Sequence, residues 1–127
     1  MILKVNGKDI KLDLRTKSRA NASDLHKNAL KLIREAYPYD PIVEEVYIPD
    51  VGLYIDIFLP NRLMAFEAQG EQHFTHKSYF HKDRMEFLKA QHRDRLKKQV
   101  LEDNGITLIE LKFDEEQEWK NQILQRK

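Results

Sequence analysis

The sequence contains no cysteine, which excludes disulfide bonds, thiolate zinc sites and cysteine nucleophiles and fits a reducing compartment. It also lacks any apolar run near the roughly 18 residues that a membrane-spanning helix needs. Its first residues lack the apolar core and the cleavage site of a signal peptide. We therefore expect a cytoplasmic protein with no membrane partner.

A large excess of charge of either sign is absent as well. Lys and Arg number 22 and Asp and Glu number 21, so the net charge is only +1. This balance argues neither for nor against nucleic acid as a partner, although the basic residues can form a basic face if the acidic ones segregate elsewhere. At 127 residues, the chain is expected to form a single domain, residues 1–127, around one hydrophobic core.

The order of residue patterns predicts an α/β fold with a mixed central β-sheet flanked by helices. Residues 1–14 are predicted to form a β-hairpin, because alternating apolar residues flank the turn signal Asn6-Gly7. This hairpin is expected to cover one edge of a larger sheet, and a homodimer arm or a DNA-contacting wing is the alternative. Ser23 is expected to cap a helix that ends near Tyr37, since Pro38 disfavours a helical residue before it.

A short strand and a long basic helix are predicted further along the chain. The strand at residues 42–48 places Glu44 and Glu45 on opposite faces, so one of them can point inward, although solvent exposure is the commoner position. The helix is expected over residues 80–104, either continuous or broken near residues 92–95. Its apolar positions are Met85, Leu88, Leu96 and Val100, and Gly105 is a good C-terminal stop.

The last two predicted elements are a strand at residues 106–113 and a helix at residues 115–127. A single glycine separates this strand from the long helix before it. That spacing is typical of a crossover that sets a strand parallel to an earlier one. Trp119, Ile123 and Leu124 are available to dock the closing helix on the rest of the domain.

The central residues 53–74 contain two apolar runs that are each interrupted by one carboxylate. Asp56 interrupts the first run and Glu67 the second, where a buried strand normally has an aliphatic residue. Burying a carboxylate without a partner is costly, so two of them in adjacent strands need a shared compensating charge. A hairpin through the turn at residues 60–62 would bring Asp56 beside Glu67.

A divalent cation bound by oxygen ligands is the simplest such charge. Side chains alternate across a strand, so Gln69 emerges on the same face as Glu67. Mg²⁺ or Mn²⁺ bound by Asp56 and Glu67 would polarise a phosphodiester and activate a water, with His73 as general base or phosphate contact. The structural alternative is that Arg or Lys neutralises the two acids, or that they face water on an edge strand.

Several motifs in this chain are together specific enough to indicate a family. They are Ser23-Asp24-Leu25-His26, Asp56, residues 67–74, Arg93-Asp94 and Asn104-Gly105-Ile106. The arrangement resembles the PD-(D/E)XK nuclease superfamily, and most closely its Vsr-like branch of very-short-patch repair endonucleases and phage or intron-associated homing endonucleases. The match spans roughly residues 23–113, and residues 67–74 are its most specific part.

The resemblance implies a restriction-endonuclease-like core behind an N-terminal β-hairpin and a Mg²⁺- or Mn²⁺-dependent DNA endonuclease. Asp56 and Glu67 would be the metal ligands. Gln69 would stand where the superfamily often has a lysine that positions or activates the attacking water. Because Gln69 cannot supply a positive charge, that role would pass to His73 or to a second metal ion. Asp94 would assist the site from the long helix.

Substrate contacts are expected at the first helix, after the central strands and along the long helix. A solvated helix start is the structural alternative for those at the beginning of the long helix, and a surface or packing position is the alternative for His26. The expected contacts are His26, Gln72, His76, Lys77, His81, Lys82, Arg84 and Arg93. Repair enzymes of the Vsr type carry a structural zinc held partly by cysteine. The absence of cysteine therefore favours the phage or homing-type relatives, in a bacterial or phage-infected cell.

Two competing functions remain beside the nuclease. One is a nucleic-acid-binding module on the same fold that has lost catalysis, which the missing lysine at position 69 and the near-neutral net charge would explain. The other is a phage accessory protein that binds a host protein through the hairpin of residues 1–14. RNA is an alternative to DNA as the nucleic acid in either the nuclease or the binding module.

Overall fold

A computed structural model describes residues 1–14, 23–49, 51–70 and 84–124 of the chain. The elements in these ranges are β1 (Ile2–Val5), β2 (Lys8–Lys11), α1 (Asp24–Ala36), β3 (Val43–Ile48), β4 (Leu53–Leu59), β5 (Met64–Gln69), α2 (Arg84–Asp103), β6 (Thr107–Lys112) and α3 (Glu116–Leu124). This order confirms the predicted mixed α/β class. No helix in the described part of the chain is long and apolar enough to cross a membrane.

Strands β3 to β6 form a four-stranded sheet in the order β3-β4-β5-β6. The first three strands are antiparallel, and β6 runs parallel to β5, with Glu67 paired to Glu110. Helix α2 makes the connection between the two parallel strands, which confirms the predicted crossover. Within its described length α2 is one continuous helix, so the alternative of a break near residues 92–95 is wrong.

One face of the sheet is covered by α1 and α3. Ile57, Phe66 and Ile109 lie side by side on β4, β5 and β6, and they pack in one buried cluster with apolar residues of both helices. Two large side chains here have their polar atoms satisfied, since the Tyr37 hydroxyl donates to the Ile123 carbonyl at 2.8 Å and the Trp119 Nε1 to the Lys112 carbonyl at 2.9 Å. This face is therefore a closed hydrophobic core.

The ends of α1 lie where the sequence predicts them. The Ser23 Oγ accepts a hydrogen bond from the backbone N–H of His26 at 3.2 Å, which caps the first turn. The Tyr37 N–H donates to the Ile33 carbonyl at 2.9 Å, and Pro38 follows. Because proline disfavours a helical residue before it, the helix stops there.

The opposite face of the sheet packs against α2 and the hairpin. β1 and β2 form a separate two-stranded sheet, joined through Asn6 and Gly7, whose φ angles of 50° and 78° are positive as the predicted tight turn requires. The predicted hairpin is confirmed, and it forms a sheet of its own instead of adding strands to the larger one. Its alternating apolar side chains, Leu3, Val5 and Ile10, pack in one cluster with Phe58 and Leu101, so it covers the larger sheet through side chains.

Asn104 connects the hairpin to the end of α2. Its Oδ1 accepts from the Lys4 backbone N–H at 2.6 Å, while its Nδ2 donates to the Lys4 carbonyl at 2.9 Å and to the Val100 carbonyl at 2.8 Å. Gly105 has φ of 72°, and Ile106 donates to the Leu101 carbonyl at 2.9 Å, which together end the helix as predicted. The Asn-Gly-Ile motif thus has a structural use at this junction.

The apolar face predicted for α2 is largely wrong. Met85, Leu88 and Leu96 are exposed by 60%, 42% and 38%, whereas the buried apolar residues are Phe87, Val100 and Leu101. Between Phe87 and Leu101 the sheet-facing side of the helix carries Asp94 and Lys97, both half-buried. Polar residues therefore occupy the middle of this side of α2, and one of them, Lys97, contacts the central carboxylate Glu67.

Candidate functional site

Asp56 and Glu67 lie next to one another on neighbouring strands. Antiparallel pairing of Ile57 with Phe66 places residues 56 and 67 opposite each other, and their side chains share a hydrogen bond. Glu67 is buried, with 7% exposure, and Asp56 is half-buried. The β4–β5 hairpin therefore brings the two carboxylates together, as the sequence predicts.

The electrostatic environment of Glu67 favours its protonated form. Burial raises the pKa of this carboxyl well above its usual range, and the hydrogen bond and negative charge of Asp56 raise it further. The positive charge and hydrogen bond of Lys97 act in the opposite direction and lower the pKa. Since the net direction is upward, Lys97 does not fully offset burial and the neighbouring acid. A further positive charge beside the pair would favour the ionised form.

Lys97 reaches this site from α2. The structural alternative stated from the sequence, an Arg or Lys that neutralises the acids, is thus met at Glu67, although the sequence did not identify which residue it would be. The Lys97 Nζ donates to Glu67 Oε1 at 2.6 Å and to the backbone carbonyl of Tyr54 at 2.8 Å. Its side chain is only 14% exposed. The available signal was helical spacing, because Lys97 falls on the same side of α2 as Phe87 and Leu101. A lysine on such a buried stripe needs an anionic partner.

Gln69 follows Glu67 by two residues and emerges on the same face of β5. It is 8% exposed, and its Oε1 has no hydrogen-bond partner among the described residues. A buried carbonyl oxygen without a partner is uncommon in folded proteins, so this oxygen is available to a donor or cation beyond the described residues. Gln69 therefore offers a neutral oxygen ligand beside the two carboxylates.

Two further acidic residues flank the pair on the outer strands. Glu110 is paired with Glu67 across the parallel strands, and its Oε1 lies 3.8 Å from Lys98 Nζ in a partly exposed ion pair. Glu45 lies on β3 between the residues that pair with Ile55 and Ile57, and hence opposite Asp56. Its φ of 55° is left-handed, which is strained for a residue with a Cβ. A row of acidic residues thus crosses all four strands.

Glu44, next to Glu45, is the acid of β3 that is buried, and it serves the opposite face of the sheet. It is 4% exposed, and its Oε1 lies 2.7 Å from the Nε2 of His26 on α1. His26 is 1% exposed, and its Nδ1 has no partner in the described ranges. The predicted substrate contact of His26 stays a prediction that this enclosed position does not favour.

The remaining predicted site residues are only partly described. Asp94 is half-buried on the sheet-facing side of α2, one turn before Lys97. Arg84 and Arg93 are exposed on the same helix, where a ligand can reach them. Six of the predicted site residues lie outside the described ranges, namely Gln72, His73, His76, Lys77, His81 and Lys82. The structure therefore brings together Asp56, Glu67 and Gln69, with Lys97 as an addition.

The donor set fits a small divalent cation with few protein ligands. In the ranges that the structure describes, no group of three or more His, Cys, Asp or Glu side chains is placed to hold a metal ion. Mg²⁺ is commonly bound through one or two carboxylates and completes its shell with water and substrate phosphate. Two carboxylates with an unpartnered amide oxygen beside them, as at Asp56, Glu67 and Gln69, match that pattern.

The chain is similar to uncharacterized viral proteins. It is 38% identical over 62 residues to uncharacterized protein 307L of Invertebrate iridescent virus 6, and 34% identical over 62 residues to uncharacterized protein 033L of Invertebrate iridescent virus 3. Both matches cover 49% of this chain and 32% of the relative. Uncharacterized protein 094L of Frog virus 3 is 38% identical over 68 residues, or 51% of this chain and 44% of the relative.

The matched residues thus span 32% to 44% of the length of these relatives. No family model matches it, and no solved structure matches it.

Proposed function

We propose that this chain is a divalent-metal-dependent endonuclease that hydrolyses phosphodiester bonds in DNA on a restriction-endonuclease-like core. The observation that carries the proposal is the pair formed by Asp56 and Glu67 on adjacent strands. A buried acid in hydrogen-bond contact with a half-buried one is unfavourable for a fold by itself, because burial and mutual repulsion both oppose ionisation. A bound divalent cation would offset these costs, which explains why the two carboxylates lie together.

Asp56 and Glu67 would hold Mg²⁺ or Mn²⁺, and the bound ion would supply polarisation of the phosphodiester and activation of a water. Gln69 lies two residues from Glu67 with its Oε1 unpartnered in the described part of the chain, so it can accept a hydrogen bond from that water and orient it. His73 is the proposed general base or phosphate contact, just beyond the described strand. Asp94 would support the site from α2.

The first part of α2 provides a surface for the phosphate backbone. Residues 84–95 contain four Lys or Arg and two Asp or Glu, although the whole chain is nearly neutral. Arg84, Lys89 and Arg93 are exposed there, and Lys97 lies on the inner side of the same helix. Basic side chains that track phosphates position a duplex without specifying its sequence. The first part of α2 therefore has a local excess of positive charge that can bind an anionic partner.

Cleavage of supercoiled plasmid DNA in Mg²⁺ or Mn²⁺ tests the proposal, with wild type compared against Asp56→Asn and Glu67→Gln. Both amides keep the shape of the side chain and remove an anionic ligand. We expect each to lower the rate at least about 100-fold, equivalent to a loss of roughly 3 kcal/mol of transition-state stabilisation. Glu110→Gln, in the next strand of the same row, is the matched control and should cleave normally. Equal rates in all four proteins would contradict the proposal.

A non-catalytic nucleic-acid-binding module is the second candidate. The observation in its favour is that Lys97 already pairs with Glu67, while Gln69 adds no charge to the site. It predicts DNA binding that weakens steeply with salt, survives Asp56→Asn and leads to no turnover with any divalent ion. Parallel assays on single-stranded and duplex RNA decide which nucleic acid the protein uses.

A further inference from the structure

We infer that Lys97 is a positioning residue of this site, and that it supplies from α2 the positive charge that Gln69 cannot. This inference rests on the proposed nuclease function and concerns the same carboxylates. Its geometric basis is the contact of Lys97 Nζ with Glu67 Oε1 at 2.6 Å. The Lys97 side chain extends from α2 across the interface between this helix and the sheet, whereas residue 69 lies on β5 itself.

The ammonium group has two independent anchors. Besides Glu67, it donates to the backbone carbonyl of Tyr54 on β4 at 2.8 Å. A backbone carbonyl is neutral and fixed by the strand, so this anchor does not depend on what Glu67 binds. Lys97 would therefore stay beside the carboxylates if Glu67 also held a divalent cation. The 14% exposure of its side chain means that its stem is also held by packing.

Packing alone does not account for a lysine at this position. The sheet-facing side of α2 is apolar at Phe87 and Leu101, and Lys97 lies between them on that side. Burying an ammonium group costs free energy that a single ion pair does not reliably recover. The lysine is thus better explained by what it does to the two acids beside it.

The charge of Lys97 suits an anionic substrate. With Asp56 and Glu67 ionised and a divalent cation between them, those three charges cancel. Lys97 then gives the group a net charge of +1, which attracts one phosphodiester and stabilises negative charge that develops on it. Lys97 also holds Glu67 in one orientation through the bond to Oε1. Both effects act on turnover more than on metal binding.

The test compares Lys97→Met with Lys98→Met. The Lys98 side chain is 54% exposed in its pair with Glu110, so it is a neighbouring lysine outside the site. Plasmid cleavage kinetics, Mn²⁺ binding by calorimetry and thermal melting are measured on each purified protein. We expect Lys97→Met to lower kcat about 10- to 100-fold, with KM and Mn²⁺ affinity changed much less. Lys98→Met should match wild type in all three measurements.

A second-site variant separates charge supply from structural support. Gln69→Lys introduces a lysine on the same face of β5, two residues from Glu67. In the Lys97→Met background, this substitution should raise kcat at least about tenfold, because it returns a positive charge to the carboxylates from β5 instead of from α2. Lys97→Gln, which keeps a hydrogen-bond donor for Glu67, serves if the methionine variant does not fold, and it should lose kcat to a similar degree.

The outcomes distinguish the two hypotheses. Wild-type protein that binds Mn²⁺ but cleaves no DNA overturns the nuclease function and this role with it. Active wild type whose folded Lys97→Met and Lys97→Gln variants keep full kcat overturns the role of Lys97 alone. Loss of kcat in both Lys97 variants, with no recovery by Gln69→Lys, assigns Lys97 a structural part only and also overturns the inference.

Discussion

A buried carboxylate meets a basic side chain on each face of the four-stranded sheet. On the α1 face, Glu44 lies 2.7 Å from His26, and the two side chains are 5% and 1% exposed. On the α2 face, Glu67 lies 2.6 Å from Lys97, with exposures of 9% and 14%. Both pairs join a strand to the helix that covers it. They differ in the second carboxylate, Asp56, that contacts Glu67.

This difference separates a structural arrangement from one that suits a ligand. Glu44 Oε1 and His26 Nε2 are each other's partner in a sealed interior, which is how folded proteins normally accommodate buried polar groups. Glu67 has a cation beside it, yet Asp56 and burial still raise its pKa. The arrangement around Glu67 therefore retains a capacity for more positive charge. The pair of Glu44 and His26 is expected to matter for stability, and the pair of Glu67 and Lys97 for function.

Glu44→Ala is expected to have the largest effect on the free energy of unfolding. It leaves His26 without its partner and opens a cavity under α1, and these two costs together amount to about 2–4 kcal/mol. Urea unfolding measures the change. Replacing both residues, as His26→Leu with Glu44→Leu, should recover part of the loss, because no polar group is then buried alone. A loss below about 0.5 kcal/mol for Glu44→Ala would contradict a structural role for the pair.

Glu67→Gln should affect stability in a pH-dependent way and in the opposite direction. Because the folded-state pKa of Glu67 is raised, the wild type has the full stabilising contribution of this group below the unfolded value, about 4.3, and loses it as pH rises through the folded pKa. The amide that replaces the carboxyl does not titrate, so the variant should gain stability relative to wild type as pH rises through that window. Urea unfolding at several pH values measures this, and a difference that is constant with pH would contradict it.

Lys98→Ala should change the free energy of unfolding least, by no more than about 0.5 kcal/mol. Its Nζ lies 3.8 Å from Glu110 Oε1, and the side chains are 54% and 31% exposed, so solvent screens the attraction. Thermal or urea unfolding at low and high salt provides the measurement. A large loss of unfolding free energy would show that the ion pair of Lys98 with Glu110 also stabilises the fold. The distinction between Lys97 and Lys98 would then be weaker.

Much of the local structure could be predicted because its signals are short-range. Asn6 and Gly7 favour a tight turn by their backbone preferences, and Ser23 and Pro38 mark the ends of α1 by capping and by steric conflict. The approach of Asp56 to Glu67 follows from a hairpin of fixed side-chain period. Each of these inferences needs only residues that are near one another in the chain.

The errors arose where two elements had to be placed against one another. Met85 and Leu96 satisfy helical spacing as well as Phe87 and Leu101 do, and periodicity alone does not choose which stripe of α2 meets the sheet. Because the wrong side of α2 was predicted to face the sheet, Lys97 was not included among the predicted site residues. It is likewise the packing of α1 on β3 that makes His26 a buried partner of Glu44 instead of a surface residue.

The sequence by itself therefore determined the order of elements, the limits of α1, the crossover to β6 and the meeting of Asp56 with Glu67. These depend on backbone propensities and on the alternation of side chains along a strand. Only the tertiary structure decided where the hairpin packs, which lysine reaches the carboxylates and which acid is sealed with His26. Those choices depend on burying apolar surface between elements that are far apart in the chain, and no local pattern specifies that packing.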